Sequence, residues 1–307
     1  MLKRLLPKWL VGSLATCLLL LNTLVWGVIV SVLGLIKFIL PFYATTVVLH
    51  WAYTGWRLGN RLALQLGCER FNVRFDGEVD PKAWYLLIAN HLSWLDIVVL
   101  SAVTELPAPK FFLKDELKYV PFIGSGAWAM GMPFMKRASK EQIAKNPKLK
   151  GMDVERTKRS CHNFKQYPSC IVNFVEGSRF TPGKKQRQLS PFEYLLKPKA
   201  GGIAFALQVL GEQFDGLLDA TLCYQSQGTH ICRDFMLGRL TQIDLLVNVR
   251  DIAPQLIGDY QQDKAFRVEF QQQLNEIWQA KDALIAQQQA PIATADCAKV
   301  VDNAGKV

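Results

Sequence analysis

The chain of 307 residues is long enough to bury the core of one large domain or two smaller ones, but half of it is hydrophobic and its mean hydropathy is slightly positive. That balance argues against free solubility along the whole length. A formal charge of +10 calls for an anionic partner, and nucleic acid, an acidic membrane surface or an acidic carrier protein would each satisfy it.

Lys3, Arg4 and Lys8 precede an apolar stretch over residues 9–36 that no charge interrupts, longer than the roughly 20 residues a bilayer crossing needs. Lys37 then opens a second apolar run, FILPFYATTVVLHWAYTGW. A signal peptide would have a shorter apolar region followed by ordinary mature sequence, so retention in the membrane is the expectation. Arg57, Arg61 and Arg70 follow the second run, and positive charge on both sides favours a helical hairpin or a shallow re-entrant anchor. The reading is therefore an anchor over residues 1–70, a domain over 71–290 held in the cytoplasm, and a flexible tail over 291–307.

From about residue 71 the texture is α/β. Short β-prone runs, WYLLIAN, KFFLK, PFMKR, CIVNFVEG, LDATLCY and IDLLVNVR, alternate with helical stretches that include residues 153–166 and 198–210. Their apolar residues are continuous, not alternating, so the strands are expected to be covered on both faces. Residues 263–289 read as an amphipathic helix with Phe266, Val268, Phe270, Leu274, Ile277 and Trp278 on one side. The seven cysteines are scattered, without a CxxC pair, so neither a disulfide framework nor a zinc site is favoured; Cys161, His162 and Cys170 come nearest to a metal cluster.

Within LLIANHLSWLDIVVL, His91 falls in the turn where a buried strand ends, and DIVVLSAV begins a helix. Open α/β sheets build their sites at such strand ends. On one straight helix His91 and Asp96 would point about 140° apart, so the two meet only if the chain bends into the helix between them. Ser93, three residues before the acid, supplies a cap for that bend. If they meet, Asp96 can hold one imidazole nitrogen and stabilise the charge formed when the other takes a proton, making His91 a general base. The competing reading is an ordinary acid in a first helical turn beside a turn histidine. No serine or cysteine sits in an obvious nucleophile elbow, so the proton is expected to come from a substrate hydroxyl.

CIVNFVEGSRF repeats the logic: a buried strand ends in Glu176, Gly177, Ser178 and Arg179. Arg179 offers forked donors for phosphate, Gly177 lets backbone approach a ligand, and Glu176 can accept from a hydroxyl. KDELKYVPFIGSGAWAMGMPFMKR ends a further strand at Lys136 and Arg137, a basic pair that alone reads as a solvated edge and that beside the other two polar ends makes an anion site the sharper expectation. Lys184, Lys185 and Arg187 read as a solvated loop or a membrane-facing basic patch.

Taken together and in this order, NHLSWLD, the KDEL…FMKR stretch, FVEGSR and LLKPKAGG resemble the blocks of the glycerophospholipid acyltransferase family, PlsC-like enzymes that make phosphatidic acid from lysophosphatidic acid. The resemblance covers residues 84–224 and implies an acyltransferase-type mixed sheet flanked by helices. It implies His91 as general base with Asp96 as its partner, and Arg137 with the Glu176 to Arg179 segment as the holder of the glycerol phosphate. It also implies acyl-coenzyme A or acyl-acyl carrier protein as co-substrate with no further cofactor or metal, a lysophospholipid acceptor, membrane lipids as surroundings, and a place on a bacterial inner membrane with the site facing the cytoplasm. Ser178 stands where the family often has threonine, and LLDATLCY lacks the valine-proline pair usual in the fourth block, a feature nearer the lysocardiolipin-type branch. Another lysophospholipid acceptor and a non-catalytic membrane-bound binding protein are the rival readings; nucleic acid is not an expected partner.

Overall fold

The computed structural model describes residues 6–132, 134–135, 167–228, 230–260 and 262–289. The helical reading of residues 153–166, the site residue Arg137, the Cys161 and His162 pair and the tail over 291–307 lie outside the described residues.

Two antiparallel helices open the fold, α1 (Lys8–Ile39) and α2 (Tyr43–Gly67). Asn22 bonds the Trp56 carbonyl and the Asn60 side chain across the pair, each at 2.9 Å. Among the described residues, α1 is the helix long and apolar enough to cross a membrane. Helix α2 is bound into the body behind it: the buried Arg57 donates to the carbonyls of Ser101, Val103 and Leu106, and the Tyr53 hydroxyl donates to Pro109 at 2.8 Å. Helix α1 also touches that body near both its ends. A Cβ on Gly12 would collide with the backbone of Met236 and Gly238, and one on Gly34 with Ala129.

Behind the helix pair the chain runs β1 (Arg70–Asp76), β2 (Tyr85–Ala89), α3 (Leu95–Ala102), β3 (Ala108–Phe111), β4 (Leu113–Lys114), α4 (Ile123–Ala129) and β5 (Phe134–Met135). It continues with β6 (Ser169–Phe174), α5 (Pro182–Gln188), α6 (Ala200–Leu210), β7 (Gly216–Ser226), α7 (Ile231–Met236), β8 (Leu240–Arg250) and α8 (Lys264–Gln289). Six strands form one sheet in the order β1-β8-β7-β2-β6-β3, and β4 pairs with β5 apart from it. Strand β2 is parallel to both β6 and β7, while β7 and β8 are antiparallel, so the sheet is mixed.

The continuous apolar runs have the predicted consequence. Every residue of β2 is buried, with Leu87 and Ala89 facing a layer built on α1, α2, α3 and α7, and Leu86 and Ile88 facing α6 and α8. On α8 the inward face carries Phe270, Leu274, Trp278, Lys281 and Ile285, spaced three or four apart. Val268, expected on that face, is 62% exposed; it sits two residues from Phe270, about 200° round the helix. Strand β1 went unread in the sequence because RFNVRFD pairs along one edge only and has no fully buried residue, so it carries no continuous apolar run.

Candidate active site

His91 follows the buried strand β2 by two residues, and the chain turns through Leu92, Ser93 and Trp94 into α3, so Asp96 lies in the first turn. That bend brings the pair together: His91 Nδ1 lies 2.7 Å from Asp96 Oδ2. The same oxygen accepts the backbone N–H groups of Leu92 at 2.6 Å and Ser93 at 2.9 Å, and Ser93 Oγ accepts from the Leu95 N–H at 3.2 Å. These are the reciprocal bonds of a helix-start cap. The capping reading and the dyad reading thus describe one arrangement, in which the carboxylate that caps the helix also orients the imidazole.

Asp96 is fully buried, and a buried carboxylate needs its oxygens satisfied. Its second oxygen takes the hydroxyl of Tyr224 at 2.7 Å, a partner 128 residues away on β7 that the sequence reading missed. Burial first, then the negative Asp96, raises the Tyr224 phenol well above its ordinary range, so it stays a neutral donor. Asn90, also fully buried, exchanges two hydrogen bonds with the backbone of Leu222, at 3.0 and 2.8 Å, and so fixes the strand end to β7. Phe174 stacks on the His91 ring with centroids 4.1 Å apart. The imidazole is held on its Nδ1 edge and on one face while its side chain keeps 16% exposure.

The end of β6 reaches the same place. The Phe180 N–H donates to the His91 carbonyl at 2.7 Å. Exposed Arg179 lies over the Trp94 ring at 5.1 Å, beside the loop that carries the dyad. Gly177 has φ +68°, the left-handed region, and a Cβ there would stand 3.2 Å from the Lys199 ammonium, so the turn depends on glycine. Ser178 is half-buried next to Arg179.

Glu176 takes a different position from its three neighbours. It is fully buried and accepts from the backbone N–H groups of His91 at 3.4 Å and Leu196 at 3.3 Å. Burial pushes its carboxyl up to about 8, against the downward pull of those two bonds. Its side chain holds the His91 loop to the KPK stretch. A cavity of about 640 Å³ opens beside these loops, lined by Leu92, Phe180, Leu222 and Tyr224 together with Gln225, Ser226, Ile231, Ile285 and Gln288.

A strand-end histidine oriented by a buried carboxylate, with a cation beside the loop and a cavity of mixed polar and apolar lining adjoining, matches a family in sequence as well. The acyltransferase family model covers residues 70–225, just over half of the chain. The chain belongs to the acyltransferase family. It is 40% identical over 68 residues to the lyso-ornithine lipid O-acyltransferase of Rhizobium meliloti, a match covering 22% of each chain. It is 36% identical over 119 residues to the 1-acyl-sn-glycerol-3-phosphate acyltransferase of Saccharomyces cerevisiae, covering 38% of this chain and 35% of the yeast protein. The chain therefore matches between about a fifth and a third of the length of these relatives. Among solved structures it is similar to the 1-acyl-sn-glycerophosphate acyltransferase PlsC of Thermotoga maritima, at 13% identity and a TM-score of 0.44, covering 88% of this chain and 98% of that one.

Proposed function

We propose that this acyltransferase moves a fatty acyl group from an acyl thioester to the free hydroxyl of 1-acyl-sn-glycerol 3-phosphate, giving phosphatidic acid. The observation that carries this reading is the 2.7 Å contact between His91 Nδ1 and the buried Asp96. With Nδ1 donating to the carboxylate, Nε2 holds the lone pair and accepts the acceptor's hydroxyl proton as that oxygen attacks the thioester carbonyl. A C–O bond forms, the C–S bond breaks, and the imidazolium returns the proton to the departing thiolate. Asp96 stabilises the imidazolium between those steps. Arg179 with Gly177 and Ser178, and Arg137 from outside the described residues, bind the phosphate, and the 640 Å³ cavity takes acyl chain. Glu176 supports this set from beneath. Acyl-coenzyme A or acyl-acyl carrier protein is the donor, and no cofactor enters the chemistry.

The names of the bacterial relatives favour a second acceptor, a lyso-ornithine lipid, which is an amino-acid lipid without phosphate. An acceptor panel separates the two. For lysophosphatidic acid, Arg179→Ala raises KM about tenfold or more, the loss of one charge-assisted contact. For an acceptor without phosphate the same variant leaves KM unchanged. Activity confined to the phosphate-free acceptor would reject phosphatidic acid as the product.

The anchor is proposed to lie in one leaflet instead of crossing. Gly12 and Gly34 of α1 both pack on the α/β body, and 22 residues of helix separate them by about 33 Å, a full hydrocarbon thickness. A crossing would drag α4 and α7 into the bilayer. The outward face of α1, with Leu20, Leu21, Val32 and Phe38 exposed, is suited to lie along the membrane surface and deliver lipid to the site. The site would then face the compartment that holds acyl thioesters, the cytoplasm of a bacterial cell at its inner membrane. A reporter fused after residue 70 and exported from the cell would reject this arrangement.

A further inference from the structure

Beyond Arg179, the acyl-transfer reading gives no role to the segment in which the positive charge is densest. Residues 179–199, which hold α5 and the turns up to α6, carry six cations, Arg179, Lys184, Lys185, Arg187, Lys197 and Lys199, against one acid, Glu193. Their net charge of +5 is half of the chain's formal +10. Arg179, Arg187, Lys197 and Lys199 are exposed. Folding gathers the group: the Lys184 ammonium donates to the Arg179 carbonyl at 2.8 Å, the Lys185 ammonium donates to the Glu193 carbonyl at 3.0 Å, and Lys199 lies against Gly177. Among the described residues none of the six is ion-paired with a carboxylate. Asp282 of α8 reaches this segment, but its two oxygens accept the backbone N–H groups of Glu193 and Tyr194, each at 2.8 Å.

Among these cations stands Leu189, 79% exposed and with φ +48°. It ends α5, its N–H bonding back to the carbonyls of Gln186 and Lys185. That left-handed position suits Gly or Asn, and the Cβ of a leucine is crowded there. Burial does not compensate, because the side chain points into water. The turn is nonetheless firmly held: the Ser190 N–H donates to the Lys185 carbonyl at 3.1 Å and its hydroxyl to the Leu195 carbonyl at 2.8 Å. A strained backbone that holds an apolar side chain out among cations fits a partner surface with carboxylates around an apolar notch.

Placement separates an acidic protein from an acidic membrane. Phe192 and Leu195 root the segment in the layer of α6 and α8, whereas α1 and α2 cover the other face of the sheet. The segment thus belongs to the layer opposite the anchor. Coenzyme A offers phosphates for the cations but no notch for the leucine. At its other end the segment reaches Arg179, beside the loop that carries His91. We propose that α5 and the turn after it dock the acidic carrier protein that bears the acyl thioester, with Lys184, Lys185 and Arg187 on its carboxylates and Leu189 in an apolar notch between them. This inference rests on the acyl-transfer reading and selects one of its two donors.

The experiment compares the full chain in detergent with Leu189→Gly and with the double variant Lys185→Glu, Arg187→Glu. Binding of a fluorescently labelled bacterial holo-acyl carrier protein is followed by anisotropy at low and high salt. Steady-state transfer of one acyl group to lysophosphatidic acid is measured from acyl carrier protein and from coenzyme A. The expected result is saturable binding that weakens with salt and is at least tenfold weaker in both variants. KM for the acyl carrier protein rises at least tenfold, while kinetics with acyl-coenzyme A stay within twofold of wild type. Leu189→Gly relieves the left-handed strain, so its Tm equals or exceeds that of wild type, whereas a merely structural leucine would lower Tm and activity with both donors. No saturable binding to wild type, unchanged affinity in the folded Leu189→Gly, or equal losses with both donors would overturn the assignment. So would a charge variant that keeps its carrier affinity but loses the preference of wild type for phosphatidylglycerol over phosphatidylcholine vesicles, which would assign the patch to the membrane. Transfer from neither donor would reject the acyl-transfer reading, and the anisotropy would still decide the docking.

Discussion

Replacing Asp96 by asparagine isolates the charge of the dyad from its geometry. The Asn carbonyl can occupy the position of Oδ2 and keep the three donors that converge there, from His91, Leu92 and Ser93. The amide nitrogen then meets the Tyr224 oxygen, which turns from donor to acceptor. Sterically the change is nearly neutral, and making these charge-assisted bonds neutral costs roughly 1–2 kcal/mol of stability. In catalysis the loss is larger, because nothing then opposes the charge on the imidazolium. A charge pair at about 4 Å in an effective dielectric of about 20 is worth about 4 kcal/mol, close to a thousandfold in rate. Steady-state kinetics with acyl-coenzyme A and lysophosphatidic acid, beside thermal unfolding, should show kcat down about 10³-fold with both KM values within about threefold. A folded Asp96→Asn protein that keeps more than a tenth of wild-type kcat would refute the role given to the carboxylate.

Tyr224→Phe removes one donor to the same buried carboxylate; about 1.5–3 kcal/mol of stability is expected to go, and kcat should fall by about tenfold because Asp96 loses one restraint. Chemical denaturation and turnover measured on one preparation check both. Glu176 is a carboxyl raised by burial to about 8, so the folded state holds a proton that the unfolded chain releases near its ordinary 4.5. The stability it contributes is therefore complete below about 4.5 and is lost as pH rises towards about 8, by a few kcal/mol. Denaturation midpoints between pH 5 and 8 should fall less steeply in Glu176→Gln than in wild type, and parallel slopes would reject the burial argument. Lys281→Met removes a fully buried cation 2.7 Å from Asp219. Leaving that carboxylate, among the described residues, with the half-exposed Arg250 alone should cost about 3–5 kcal/mol, measured as a shift in denaturant midpoint.

The sheet was legible where burial is complete. WYLLIAN, CIVNFVEG, LDATLCY and IDLLVNVR all fall on β2, β6, β7 and β8, because strands buried along most of their length carry mainly apolar residues on both faces, with only single polar residues such as Asn173, Asp219 and Asp244 among them. The meeting of His91 with Asp96 was legible too, since five residues of separation and a capping serine leave few ways to bend the chain. What the sequence could not display is partnership across the sheet. Tyr224 reads as one more apolar residue of β7, and only the β2–β7 pairing carries it to Asp96. Direction is equally hidden: Glu176 and Arg179 share one turn, but the first points into the core to bond backbone and the second out over Trp94. The second apolar run reads as anchor, and its tie to the body through Arg57, which bonds carbonyls in the last turn of α3 and beyond it, is a contact with no local signal.

The most direct measurement is transfer of a labelled acyl group from acyl-coenzyme A to lysophosphatidic acid by the detergent-solubilised protein beside its His91→Ala variant. Labelled phosphatidic acid from the wild type, with none above background from a folded His91→Ala, is the expected result. Undiminished product from the folded variant would contradict His91 as the base.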